Sequence, residues 1–389
     1  MGEAHTSARG SVASVVVMAH DVVVIGATVA GLTAARRLAS EGFGVLVLDP
    51  SPAHVTASIG HGVAAVAHAS TVANMRAAYG DVAVQEHLRR NVAGIEEIRK
   101  VAASAGLELE QRDLHDHSLG FALERELAEL ARLMSSGGGS VELLAHSRRR
   151  RAAAGLVSGA LCVDMGAYAQ ALTAQARTAG AKIHHDVTVI RLQRGDGISK
   201  VAFRSNVDWT EAPTVATAKA VVDTISVSPW GRMARSAPPQ VVPTLRLRPL
   251  VPEEVVTLMS GPPVWMIRPM GEEVLLLGVK SQPDTVERQA ADLARWAEAE
   301  LLPVEPWPDG ERTGTLTIDP SDHGRPIVGA SPIPGGYYVR GNGRGELMNG
   351  TASGAWLAAV LLGEDPAGKD AALPRFSRAR AAVRGLLKR

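Results

Sequence analysis

The stretch from Asp21 to Asp49, DVVVIGATVAGLTAARRLASEGFGVLVLD, constrains the fold of this chain more than any other. Asp21 to Ile25 is short, β-branched and apolar, the composition of a buried parallel strand. Gly26 breaks it. From Val29 the apolar positions Val29, Leu32, Ala35 and Leu38 fall on one helical face. Gly42 has the place and type of a helix C-cap. Val45 to Leu48 is a second apolar strand, and Asp49 ends it. Strand, glycine turn, helix, strand and acid form the opening unit of a dinucleotide-binding fold. The turn aims N–H groups of the helix start at a pyrophosphate. Asp49 stands where a carboxylate accepts both ribose hydroxyls of an adenosine. The fingerprint is Gly26, Ala27, Thr28, Val29, Ala30 and Gly31, and it departs from Gly-x-Gly-x-x-Gly at Thr28. There the second glycine lets the backbone approach the phosphates. The Cβ of Thr28 pushes a pyrophosphate outward unless its hydroxyl bonds to it. The plain alternative is a βαβ unit that binds no nucleotide.

With 389 residues, 46% of them hydrophobic, the chain can bury a large core, in two domains. A net charge of +1 implies no polyanion or membrane partner. The single cysteine, Cys162, rules out an internal disulfide and a cysteine-based metal site, as a reducing cytoplasm would have it. Residues 1–19 are small and polar, with an apolar run at Val15 to Met18 too short for a signal-peptide core or a membrane span. They read as a disordered extension.

Further on, helices are expected over 71–105 and Phe121 to Met134, the second ended by the flexible run Ser135 to Gly139. The four arginines Arg148 to Arg151 read as a solvated loop, or as a grip on a phosphate. A helix with apolar face Tyr168, Leu172, Ala176 and Ala179 is followed by strands at Ala181–Ile183, Val187–Leu192, Val201–Phe203, Thr214–Ala218 and Val221–Val227. Residues 240–280 carry the strand-like runs Val255–Met259, Val264–Ile267 and Val274–Val279, and 285–301 an amphipathic helix. A glycine loop, Gly341 to Gly350, runs into an apolar helix, Ala352 to Leu362. Such a loop presents N–H groups and a positive dipole end to an anion, or simply closes the fold as a turn.

These pieces in this order resemble the D-amino-acid oxidase superfamily of FAD-dependent oxidoreductases, the group of glycine oxidase, sarcosine oxidase and dimethylglycine dehydrogenase. Besides the opening unit, three segments carry the likeness. One is Gly159-Ala160-Leu161, then Val163-Asp164 and a helix to Gly180, then Val187 to Leu192. Another is Ile267-Arg268-Pro269 with Val274 to Gly278. The last is His323-Gly324-Arg325-Pro326-Ile327-Val328-Gly329 followed by Gly336 to Gly343 and Gly345. The resemblance implies an α/β fold: a Rossmann-type FAD-binding domain with an inserted α+β substrate domain built on an antiparallel sheet. The segments 20–75, 150–235 and 311–389 fall to the FAD domain, and 76–149 and 236–310 to the substrate domain. It implies cofactor contacts at the fingerprint residues, Asp49, Ser58, His61, Val189, Gly341, Asn342, Gly343, Gly345, Glu346 and Leu347. The glycine loop then faces the charge that builds on the reduced flavin.

The chain also departs from that pattern. Asn342 replaces a histidine, His323 an aspartate, and Asp223-Thr224-Ile225-Ser226 the strand end Ala-x-Gly. The arginine that forks onto a substrate carboxylate before the closing motif is absent, and Thr317-Ile318-Asp319-Pro320 stands there. Asp319 either caps a turn or binds a cationic amine. The catalytic candidates are Asp319, Arg268 and Asn342. Ser58-Ile59-Gly60-His61 matches the spacing at which dimethylglycine dehydrogenase-like members bear the flavin on a histidine. FAD is therefore expected without a covalent bond, or with one through His61, which otherwise bonds to the ring or packs in its loop. Two functions follow. The first is oxidation of a C–N bond in a small amine or amino-acid derivative, by hydride transfer to flavin N5. The second is a catalytically silent subunit acting as a scaffold. A small-molecule amine is the expected substrate, no nucleic acid or membrane span is involved, and a partner subunit or homodimer is in keeping with either function.

Overall fold

The computed structural model describes residues 17–52, 60–120, 122–144, 154–210, 212–225, 240–279, 286–301, 312–321, 323–331 and 334–364. The chain opens with β1 (Val17–Ile25), α1 (Val29–Ser40) and β2 (Val45–Leu48), as the opening stretch dictates. Then come β3 (Val63–Ala65), the long α2 (Ala69–Ala105), β4 (Glu110–Asp116), α3 (Glu124–Ser136), β5 (Val141–Leu144) and β6 (Gly155–Cys162). A crossover helix α4 (Met165–Thr178) leads to β7 (Lys182–His184) and the meander β8 (Val187–Gly195), β9 (Ile198–Ser205) and β10 (Thr214–Asp223). Four strands follow: β11 (Gln240–Leu247), β12 (Val256–Leu258), β13 (Val264–Met270) and β14 (Glu273–Gly278). The chain closes with α5 (Val286–Glu300), β15 (Arg312–Ile318), β16 (Ile327–Ala330), β17 (Gly336–Arg340) and α6 (Glu346–Leu361).

Two sheets organise these elements. The first runs β16-β17-β10-β1-β2-β7, with β8 and β9 attached to β10. Its centre, β17-β10-β1-β2-β7, is parallel. The central strands are apolar on both faces because helices α1, α4 and α6 cover one side and the meander the other. The second sheet runs β15-β11-β14-β13-β12-β4-β6-β3, with β5 beside β6, and is antiparallel except where β12 meets β4. Helix α5 packs on it through Leu293 and Ala297. Among the described residues no helix is long and apolar enough to cross a membrane.

Several boundaries differ from those expected. Val17 to Ala19, read as part of an extension, form the first rungs of β1 against Val215 to Thr217, because β10 continues upstream and offers them a ladder. Residues 1–16 and the arginine run 148–151 lie outside the described residues. The two strands expected at Thr214–Ala218 and Val221–Val227 are one, whose intervening Lys219 reaches out to Asp21 at 3.0 Å. Helix α6 begins at Glu346 rather than Ala352, so Gly350 is helical and packs against Val29 and Ala30. Strands β6 and β15, which lie in segments assigned from sequence to the FAD domain, pair in the second sheet. They join the two sheets, since each hands the chain from one to the other.

At the carboxyl ends of β10 and β17 lies an ion pair. Arg340 Nη2 is 2.8 Å from Asp223 Oδ1, and both side chains are almost wholly buried. Arg340 Nη1 also donates to the carbonyls of Asp223 (3.0 Å) and Val339 (2.7 Å). Cutting one partner from such a pair leaves a buried charge without compensation. Arg340→Met is therefore expected to cost about 3–5 kcal/mol in urea unfolding, and the double replacement Asp223→Leu, Arg340→Met to recover most of it. A double variant no more stable than the single one would show that the pair itself, not the stranded charge, holds the strand ends.

Candidate functional site

The opening glycine turn is built as a nucleotide-binding turn is. Gly26 has φ +99°, and a Cβ on Gly31 would lie 2.2 Å from the carbonyl oxygen of Gly26. The first glycine makes the turn, and the last lets α1 rest on β1. Thr28 has φ −67° and ψ 168°, extended backbone that any residue adopts. Its hydroxyl accepts from Gly31 N–H at 3.1 Å, capping α1, and bonds to the Thr224 hydroxyl at 3.0 Å. Thr224 Oγ1 in turn lies 3.0 Å from the Ile25 carbonyl and 3.1 Å from that of Gly26. The hydroxyl of Thr28 is thus used inside the chain.

Asp49 is buried at the tip of β2. Its Oδ1 accepts from Ala27 N–H (3.1 Å), and its Oδ2 lies 3.4 Å from His185 Nδ1. His185 Nε2 is buried with no partner among the described residues. Val187 N–H bonds to the Asp49 carbonyl, which fixes the start of β8, and Val189 lies within that strand.

The second half of the site is a cavity of about 150 Å³ between the start of α2, the ends of β11 and β15, and the loop before α6. Its walls include His68, His87, Ser321, Asn342, Arg344 and Asn349. Gly341 and Gly343 have φ of +67° and +61°, and Gly343 faces open space. Asp319 holds this loop: its Oδ2 accepts from Gly341 N–H at 2.7 Å and its carbonyl from Gly343 N–H at 2.9 Å. Asn349 ties the first turns of α6 to the Asn342 carbonyl at 2.7 Å. Yet Asp319 Oδ1, Ser321 Oγ, Asn342 Oδ1 and Asn349 Oδ1 are buried with no partner among the described residues. Buried oxygens without donors at a helix start are the mark of a site that a polar ligand completes.

Of the other expected residues, Ser58 lies outside the described ones. His61 reaches the loop, but both its nitrogens are taken. Nδ1 accepts from Val63 N–H at 3.1 Å, and Nε2 bonds to the Arg344 carbonyl. The ring has no nitrogen to give to a flavin methyl, so the covalent alternative does not fit this geometry. Arg268 is buried, donates to the Val163 carbonyl at 2.8 Å and is not part of the cavity wall. It anchors β13 to the segment after β6.

Arg344 and His68 were not singled out in the sequence as site residues, although Arg344 stands inside the glycine loop. The Arg344 guanidinium lies 4.5 Å from the centre of the Trp265 ring, and no carboxylate pairs with it among the described residues. Burial lowers its pKa to about 10, so it stays charged at neutral pH. His61 and His68 both pack against Trp265, at 5.7 and 5.6 Å between ring centres. Burial and nearby arginines hold the histidines neutral: His61 is pushed down to about 3, His68 to about 4 and His87 to about 3.

A parallel sheet ending in a glycine turn with a buried acid, beside a second sheet and a polar cavity at a helix start, is the arrangement of a dinucleotide-binding fold. The chain belongs to the FAD dependent oxidoreductase family (DAO), whose model matches residues 21–360. FAD is the cofactor of that family, and the unpartnered oxygens, the open glycine loop and the Asp49–His185 corner fit it. No curated protein matches the chain. Among solved structures it is similar to glycine oxidase from Geobacillus kaustophilus, at 17% identity, TM-score 0.68, covering 92% of this chain and 98% of that one. It is similar also to L-proline dehydrogenase from P. horikoshii, at 14% identity, TM-score 0.69 and coverage of 93% and 98%. A third is iminodiacetate oxidase from Chelativorans sp. BNC1, at 19% identity, TM-score 0.65 and coverage of 91% and 98%.

Glu346, in the first turn of α6, has its carboxyl pushed up from 4.5 to about 8 by burial and then by the charge of Asp319. The folded chain thus holds this proton more tightly than the unfolded one does. Its contribution opposes folding progressively as pH rises from about 4.5 to about 8. Glu346→Gln is expected to leave the melting temperature unchanged in acid and to raise it above the wild type near pH 8, where the gain levels off. A difference between the two proteins that is flat in pH would contradict the shift.

Proposed function

We propose that this chain oxidises a C–N bond of a small amine that carries a carboxylate, an amino acid or a derivative of one. The observation that carries the reading is Arg344: a charged guanidinium in the cavity wall, braced on Trp265, with no carboxylate of the described chain paired to it. A planar fork of charged donors matches a carboxylate and binds it in bidentate fashion. It supplies from the α6 side the charge that Thr317 to Pro320 do not supply from the sheet. When bound, FAD accepts a hydride from the carbon next to the amine nitrogen. The chain's own part is to orient and exclude. Arg344 fixes the carboxylate, and Trp265 fixes Arg344. The start of α6 and the loop Gly341–Gly345 turn N–H groups and a positive dipole end toward negative charge. Asn342 and Asp319 shape that loop.

Mixing the flavin-loaded protein without oxygen against matched amines, with and without a carboxylate, tests the reading through loss of the visible flavin absorption. Carboxylated amines are expected to bleach it and their decarboxylated counterparts to fail. Arg344→Gln is expected to raise KM about 10- to 100-fold, the worth of a charge-assisted hydrogen bond. Equal bleaching by amines that lack a carboxylate would contradict the proposal.

A further inference from the structure

The inference concerns His68 and deepens the reading just given, on which it rests. His68 is the N-cap of α2, a place where Ser, Thr, Asp or Asn would bond to the first N–H groups of the helix. Its side chain makes no such bond. The caps come from β4 and the loop after it: Asp116 Oδ2 accepts from Ala69 N–H at 2.6 Å, and Ser118 Oγ from Ser70 N–H at 3.1 Å. With the helix end satisfied from elsewhere, the His68 ring turns to the cavity and stands edge-on to Trp265. Only 5% of the residue is exposed, and no hydrogen-bond partner for the ring exists among the described residues.

Two further facts define what this ring does. Burial and the charge of Arg344 press its pKa to about 4, so it is neutral at physiological pH and carries a lone pair on one nitrogen. It shares Trp265 with Arg344, whose charge it also feels, so cation and acceptor meet at one ring. His87, the other imidazole of the wall, is differently placed, because its Nε2 lies 3.1 Å from Asn91 Nδ2. We propose that the lone pair of His68 accepts a hydrogen bond from the substrate nitrogen while Arg344 holds the carboxylate. The pair thereby selects a substrate with an N–H next to its carboxylate. An N–H donor answers the unpartnered lone pair, and an ether oxygen at that place sets two acceptors against each other. No proton changes hands in this step. His68 is too weak a base to deprotonate an ammonium, and it orients a neutral amine.

The test uses two flat carboxylic acids of one shape, pyrrole-2-carboxylate with an N–H and furan-2-carboxylate with an oxygen. Their binding to the flavin-loaded protein is read from the change in the visible flavin spectrum, without turnover. The wild type is expected to bind the pyrrole acid about tenfold more tightly, equal to about 1.4 kcal/mol. His68→Phe, which keeps a ring against Trp265, is expected to bring the ratio to about one, and His68→Gln, which restores an acceptor, to regain part of it. Equal affinities in the wild type would overturn the role of His68 and leave the carboxylate reading standing, and this comparison needs no variant to fold. A preference that survives in His68→Phe would overturn it too. Binding of neither acid would overturn the carboxylate reading, and the proposal with it.

Discussion

The chain depends on how the carboxyl ends of its central strands are held. In a parallel sheet those ends form the crevice where ligands sit, so whatever fixes them fixes the site. Here β10 and β17 are clamped by the buried pair of Asp223 and Arg340, and β1 and α1 by the linked hydroxyls of Thr28 and Thr224. Both clamps use polar residues at the ends of central elements. Thr28 pairs with Thr224, and Asp223 pairs with Arg340. Each has a partner from a distant part of the chain, as burial of polar groups demands.

Within the opening unit α1 and β2 were legible, since Val29, Val45 and Leu48 begin and end their elements as expected, whereas β1 starts four residues before the expected Asp21. Periodicity and glycine placement are local signals there, and only the β10 ladder, which draws Val17 to Ala19 into β1, overrides them. The cavity was legible only in part. The glycine loop and Asp319 could be found from the order of motifs, but the importance of Arg344 could not. Its meaning comes from Trp265, which lies some eighty residues away in sequence and meets it only through the pairing of the second sheet. His68 was hidden for the same reason: its ring is unoccupied by capping only because Asp116 arrives from β4. Arg268, singled out from its motif, is buried in β13 and donates to the Val163 carbonyl.

Electrostatics give the cavity its character. Three buried histidines are neutral, Glu346 retains a proton near neutral pH, and no carboxylate among the described residues pairs with Arg344. A positive wall beside the dipole end of α6 favours negative charge, whether from a substrate carboxylate or from an electron-rich ring. Asp319 holds the loop, and its Oδ1 and that of Asn342 are buried without a partner among the described residues.

The central claim is that this chain, with Thr28 in its glycine turn and Asp223 at its strand end, holds FAD. The most direct measurement is the flavin content of the purified protein, saturated with FAD, passed over a desalting column and then precipitated in acid. The account predicts one flavin for each chain before acid, and all of it free in the supernatant afterward. A folded protein that leaves the column colourless would contradict it.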